Sequence, residues 1–245
     1  MRICMNELII FGKQPVLSAL EHFKDSILEI YLAKQIDKKL FSKFKELKKP
    51  IILLDEKRAQ AMAKGKNHQG FFAKITAPKP TVLSILKQQN SLLILNEITD
   101  AGNIGAIVRS AYALGIDGVI FIGNIDQTSV IRASSGAFLS MPFCFCNNAL
   151  DLINELKMSD FTCIGADPKG ENLAHFKAPA DKVGEGDKFA LFLGNEQSGL
   201  SQKIKLKLDK IISIPMMRDF DSLNVSVSAG IMMYNLLLKG SNGPK

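Results

Sequence analysis

Short apolar runs and segments of helical periodicity take turns along the whole chain, a pattern that few architectures accommodate. The first series reads "LIIFG", the helical "QPVLSALEHF", "ILEIYLA", the helical "KKLFSKFKELKK", "IILLD", the helical "EKRAQAMAK" and "GFFAKIT". Pro15 suits the first turn of its helix, where a missing N–H is no loss. "APKP", Ala77 to Pro80, then interrupts both kinds of regular structure with two prolines. A second series carries the apolar runs "SLLILNE", "GVIFIG", "MPFCFC", "FTCIGAD", "FALFLG" and "KIISIP". Such alternation predicts an α/β protein with a largely parallel sheet, because parallel neighbours need crossover helices that cover the sheet's faces. The expected organisation is a small αβ domain over residues 1–76, a linker over 77–90 and a larger domain over 91–245.

Composition narrows the class of partner. Hydrophobic residues make up 47% of the 245, enough to exclude a disordered chain. Lysine and arginine number 31 against 24 carboxylates, and the resulting formal charge of +7 suits a polyanion. Cys4, Cys144, Cys146 and Cys163 lack Cys-x-x-Cys spacing, and His22, His68 and His175 are scattered, so no metal set is expected and the thiols read as reduced. No apolar run approaches the ~20 residues of a membrane span, and the start "MRICMNELIIFGKQ" lacks a signal-peptide cleavage region; a cytoplasmic protein is expected. Neither G-x-G-x-x-G after a strand nor G-x-x-x-x-G-K-[ST] occurs, "GNIGA" being only a fragment, and no Ser, His and Asp set has hydrolase spacing.

Three polar or glycine-bearing segments directly follow apolar runs of the second series: "NEITDAGNIGAIVRSA", "GNEQSGLS" and "MMRDFDSLNVS". In an open α/β sheet, segments leaving the carboxyl ends of parallel strands gather along one edge, where ligands bind. Ser222 and Asn224 in the last segment precede an apolar helical stretch and suit N-capping, worth about 1 kcal/mol. Convergence with the other two segments gives them a second prospective role.

"DAGNIGAIVRSAYALG", "LFLGNEQSGLS" and "IPMMRDFDSLNVSVSAG", with the intervening "IRASSGAFLSMPF", resemble the motifs of the SpoU, or TrmH-like, branch of the SPOUT RNA methyltransferases, in that family's order over roughly residues 91–240. "FGKQPVLSAL" and "NHQGFFAKI" resemble the small substrate-binding domain of its RlmB-type ribosomal RNA guanosine 2′-O-methyltransferases. The resemblance implies a C-terminal trefoil knot and methyl transfer from S-adenosylmethionine to a ribose 2′-hydroxyl. It carries cofactor contacts to Gly194, Ile214, Met216 and Leu223. A glycine lets backbone approach a ligand closely, and Ile214 and Leu223 offer apolar walls. The catalytic set it implies is Arg109, Asn103, Glu196, Ser222 and Asn224. Asn103 and Arg109 are six residues apart, so the loop and helix start between them are expected to set their directions. Arginine keeps its proton in nearly every setting, so Arg109 suits a phosphate clamp that stabilises charge developing on oxygen better than it suits a base. Glu196 is expected to order its surroundings by hydrogen bonding, and Ser222 and Asn224 to hold the catalytic loop. Arg218 departs from the glycine common at that position.

RNA contact is expected from Lys13, Arg58, Lys64, Lys66, Asn67, His68 and Gln69 near the loops of the first domain, and from Arg132 in the second. The substrate implied is a guanosine in 23S ribosomal RNA. A transfer RNA 2′-O-methyltransferase and a catalytically silent RNA-binding or assembly factor are the alternatives, the second disfavoured by the intact motif residues; missing phosphate motifs weaken a nucleotide-dependent metabolic enzyme. The family also implies a homodimer. "VSVSAGIMMYNLLL", Val225 to Leu238, is apolar over more than one helical face, so part of it, with Met233 as the expected contact, is assigned to a second subunit.

Overall fold

The computed structural model describes residues 7–176, 188–218 and 221–238. Cys4, and Asp219 and Phe220 of the third motif, lie outside the described residues. The chain forms two compact units, one of Met1–Lys79 with Asp126–Ser140, the other of Pro80–Ile125 with Met141–Lys245.

The first unit begins with β1 (Glu7–Phe11), α1 (Lys13–His22), β2 (Ile27–Leu32), α2 (Lys38–Glu46), β3 (Ile51–Leu53), α3 (Glu56–Met62) and β4 (Phe71–Thr76). Asp37 and Asp55 cap α2 and α3, each carboxylate accepting from the backbone N–H three residues on at 2.8 Å. Alternation suggests parallel strands, yet the sheet runs β1-β4-β2-β3 with β4 antiparallel to both neighbours; only β2 and β3 are parallel. The reason is that apolar periodicity records which residues are buried, not which strand becomes the neighbour. Ile10, Ile30, Phe72 and Ile75 are buried on this sheet, with Val16, Phe44 and Ala59 covering it from the helices.

The second unit comprises α4 (Leu83–Leu86), β5 (Ser91–Asn96), α5 (Ala101–Leu114) and β6 (Gly118–Ile122). The chain then supplies α6 (Gln127–Ala133) and a 3-10 turn (Ala137–Leu139) to the first unit, where Arg132 lies over the Phe11 ring at 5.4 Å. It continues with β7 (Phe143–Cys146), α7 (Ala149–Lys157), β8 (Phe161–Asn172), β9 (Lys188–Leu193), α8 (Gln202–Lys205), β10 (Lys210–Ser213) and α9 (Val225–Leu238). The six strands run β10-β8-β9-β5-β6-β7, and every pairing is parallel. All residues of β5 and β6 are buried, as expected for strands covered on both faces. Leu152, Ile153 and Leu156 of α7 pack with Leu92, Ile94, Ile120 and Phe192 in its core.

Strand order reverses at β5, with β6 on one side and β9 on the other, and such a reversal opens a crevice at the carboxyl ends. β8 and β10 stay paired around an excursion: Ile211 faces Gly165, but Ile212 faces Glu171. Residues 166–170 are thereby pushed out of the ladder at that same end. Cys144, Cys146 and Cys163 are free thiols, and among the described residues no helix is long and apolar enough to cross a membrane.

Candidate active site

A cavity of about 520 Å³ opens beyond the carboxyl ends of β8, β9 and β10. Leu193, Ile214, Met216, Leu223 and Met232 give it apolar surface, while Asn195, Ser213 and Ser222 add polar groups. Its size lies within the range of organic cofactor sites, and its apolar walls with a few placed polar groups are the lining such sites present. Gly194, Ile214, Met216 and Leu223 thus line one cavity, with Glu196 and Ser222 also in its wall.

Beside it, hydrogen bonds tie the three polar segments together. Asn103 on α5 donates from Nδ2 to Glu196 Oε1 at 3.3 Å, and the Asp100 N–H donates to the same oxygen at 3.4 Å. Asn224 donates from Nδ2 to Asn103 Oδ1 at 3.0 Å, while its own Oδ1 accepts from the N–H and hydroxyl of Ser226 at 2.8 and 2.6 Å. Asn224 therefore caps α9 with one end of its amide and fastens α9 to α5 with the other. Ser222 takes a different place, in the cavity wall.

Three positioning residues escaped the sequence reading. Asp100 caps α5 by accepting from the Asn103 N–H at 2.7 Å. Asn195 accepts from the N–H groups of Gln197 and Ser198 at 2.9 and 3.3 Å and donates to the Glu97 carbonyl at 2.8 Å, shaping the turn that carries Glu196. The signal available for it was the turn-forming Asn of "GNEQSG". Asp167, in the excursion of β8, binds Lys205 Nζ at 2.6 Å and accepts from the Lys169 N–H at 2.9 Å. Burial pushes its carboxyl up, but these bonds and the two lysine charges outweigh that and hold it below its ordinary value. The anchorage is full at neutral pH and is lost as pH falls through that lowered value.

Arg109 is exposed on α5 and is not among the residues lining the cavity. No loop separates it from Asn103, since α5 starts at Ala101; along one helix, six residues place them about 9 Å and about 120° apart. Arg218 is exposed. In the first unit, Lys13, Arg58, Lys64, Lys66, Asn67 and Gln69 are exposed, but several are engaged. Gln69 Oε1 accepts from the Lys13 N–H at 2.9 Å, Asn67 Oδ1 accepts from the Gln69 N–H at 3.1 Å, and Arg58 pairs with Asp55 at 3.4 Å. His68 is 6% exposed, stacks on Phe72 at 5.0 Å and accepts at Nδ1 from the Gly70 N–H at 3.0 Å. Its Nε2 faces Glu56 at 3.5 Å, so the ring belongs to the unit's interior and the geometry moves it from RNA contact to support of the loop.

The parallel α/β fold with its cavity at the carboxyl edge is, by the family matches that follow, that of a SPOUT-type methyltransferase. The chain belongs to the SpoU rRNA methylase family, whose profile matches residues 90–234, and an RNA 2′-O ribose methyltransferase substrate-binding profile matches residues 9–81. It is 31% identical over 241 residues to the 23S rRNA (guanosine-2′-O-)-methyltransferase RlmB of Neisseria meningitidis, covering 93% of this chain and 94% of that protein. It is also 31% identical to RlmB of Nitrosomonas europaea, over 92% and 89% of the two chains. The SpoU methyltransferase AviRb from Streptomyces viridochromogenes, solved in complex with the cofactor AdoMet, matches with a TM-score of 0.77 at 22% identity, over 97% of this chain and 92% of that one. An AdoMet-bound rRNA methyltransferase from Sinorhizobium meliloti gives 0.72 at 21%, over 94% and 86%.

Proposed function

We propose that the protein methylates the ribose 2′-hydroxyl of a guanosine in 23S ribosomal RNA, with S-adenosylmethionine held by Gly194, Ile214, Met216 and Leu223. The observation that carries this reading is the bonded series Glu196–Asn103–Asn224, which fixes the three motif segments to one another beside a cavity of cofactor size. The bound cofactor would supply an electrophilic methyl group on sulfonium. As the ribose oxygen takes the methyl group, the sulfur–carbon bond would break to leave a neutral thioether, the hydroxyl proton would pass to solvent, and the negative charge developing on the oxygen needs a cation. Arg109 supplies that cation. Glu196 and Asn224 act through Asn103 and are positioning groups; Ser222 faces the ligand from the cavity wall. The trefoil knot and a cytoplasmic setting belong to the same reading, as do the roles of residues 1–76 as an RNA-binding domain and of 91–245 as the methyltransferase domain.

Methyl-labelled S-adenosylmethionine, incubated with ribosomal and transfer RNA pools that lack the modification, is expected to label a guanosine 2′-oxygen in 23S RNA. Label confined to transfer RNA, or absent from both, would overturn the assignment.

The working unit in this proposal is a homodimer through α9. Met233 is buried within its own subunit together with Ala229, Met232 and Leu236, which removes it from the expected contact. The opposite stripe, Val227, Ile231 and Tyr234 at helical spacing, is 49%, 39% and 58% exposed, an apolar face that a second copy would cover. Sedimentation of the parent protein at micromolar concentration should give about twice the 26.9 kDa chain mass. Ile231→Glu should bring it toward the single-chain mass with loss of activity, and a fully active monomer would refute the homodimer as the working unit.

A further inference from the structure

More than half of the chain's net charge is concentrated in one stretch of the first unit, α2 with the residues just flanking it. Residues 37–49, "DKKLFSKFKELKK", hold six lysines against two carboxylates, a net +4 within a chain of +7. Lys38, Lys39, Lys43, Lys45 and Lys48 are exposed, and Lys49 is half-buried. Among the described residues none of these six forms an ion pair, whereas Lys74, Lys87, Lys157 and Lys205 all do. Lys45 instead rests over the Phe41 ring at 4.9 Å, which holds its ammonium on the surface.

The placement is unfavourable for the helix taken alone. Phe44 is buried beneath it, and at about 100° per residue Lys45, Lys38, Ser42, Glu46, Lys39 and Lys43 follow one another around the outer half of α2. Lys39 and Lys43 thus stand one turn apart at i,i+4 spacing, where like charges repel, with Glu46 the only carboxylate on this face. Lys38 and Lys39 also occupy the first turn, where they oppose the helix dipole beside the capping Asp37 carboxylate, whereas Lys43 and Lys45 in the last turn complement it. A polyanion laid across this face would relieve both penalties.

We propose that the lysine face of α2 grips the phosphate backbone of the RNA, a role that the sequence reading gave to the loops around Lys13 and Lys64. The inference rests on the reading of the substrate as RNA. It assigns α2 to affinity and register rather than to base choice, since phosphate contacts carry no sequence information.

The test compares Lys39→Gln/Lys43→Gln/Lys45→Gln with a charge-matched control, Lys203→Gln/Lys207→Gln/Lys210→Gln, on exposed lysines of the second unit. The probe is an unmodified in vitro transcript of large-subunit ribosomal RNA. Three lost phosphate contacts should lower the slope of log affinity against log salt by about 2 and weaken binding on the order of 100-fold at 0.1 M salt. KM for RNA should rise while kcat at saturating RNA and S-adenosylmethionine affinity stay at the parent values. The single variant Lys43→Glu should fall between. A triple variant with the parent slope, or a control with an equal loss, would overturn the inference. Anionic phosphatidylserine vesicles competing for α2 as well as the transcript would overturn it too. A parent protein that binds the transcript with the expected α2-dependent slope yet transfers no methyl group would leave this contact standing and refute the proposed reaction instead.

Discussion

Arg109→Ala is expected to lower kcat by about 10²–10³ while S-adenosylmethionine affinity stays within about twofold of the parent value. The two halves of this expectation come from different observations. Arg109 is exposed on α5 and absent from the cavity lining, so its loss leaves the cofactor's walls intact. The catalytic loss follows from the chemistry: oxygen gains charge as the methyl group arrives, and a fixed guanidinium lowers that barrier more than water does. Arg109→Lys separates charge from geometry, because lysine keeps the cation without the planar fork. Partial recovery by lysine would indicate charge stabilisation, and none would indicate a bidentate phosphate clamp. Single-turnover transfer beside calorimetry measures both halves, and a turnover equal to the parent's would remove Arg109 from the reaction.

The strands of both units were legible because burial on a sheet leaves continuous apolar runs such as "LLILN" and "VIFI", which have no other stable use in a chain of this length. Strand direction in the first unit was not legible. β4 enters between β1 and β2, and nothing in "GFFAKIT" specifies which neighbour it will find. The same limit applies to Met233 and His68. Periodicity marked α9 as apolar over more than one face, but only packing decides that Met233 faces inward while Ile231 and Tyr234 face out. His68 sits among polar loop residues, and its burial arises from the stack on Phe72 and the bond from Gly70, both products of a turn's exact path. Asn224 marks how far capping chemistry reaches: its position before an apolar helix announced the cap, whereas its second bond, to Asn103 121 residues away, needed the assembled sheet.

Gly194→Ala is expected to abolish detectable methyl transfer and weaken S-adenosylmethionine binding by about tenfold or more, through backbone rather than through lost ligand contact. A Cβ on residue 194 would stand 2.2 Å from the Gly199 carbonyl carbon, 2.4 Å from the Leu200 nitrogen and 2.5 Å from the Gly199 oxygen. All three are main-chain atoms and cannot swing aside as a side chain could. Leu200 is buried in the core, and Asn195 holds the start of the turn through its bonds to Gln197 and Ser198, so neither end yields cheaply. Overpacking of this kind costs about 1–3 kcal/mol. The strain falls on the turn that carries Glu196, whose 3.3 Å bond to Asn103 links the turn to α5, and on the cavity wall formed by residues 193–199. Gly199→Asn provides the contrast. Gly199 has a positive φ of 64° with nothing within 4 Å of the added carbon, a conformation that asparagine tolerates, so its Tm should stay close to that of the parent. Melting curves and calorimetry on the two variants distinguish close backbone approach from backbone handedness. A Gly194→Ala protein with the parent's Tm and cofactor affinity would show that the turn can open without disturbing the site.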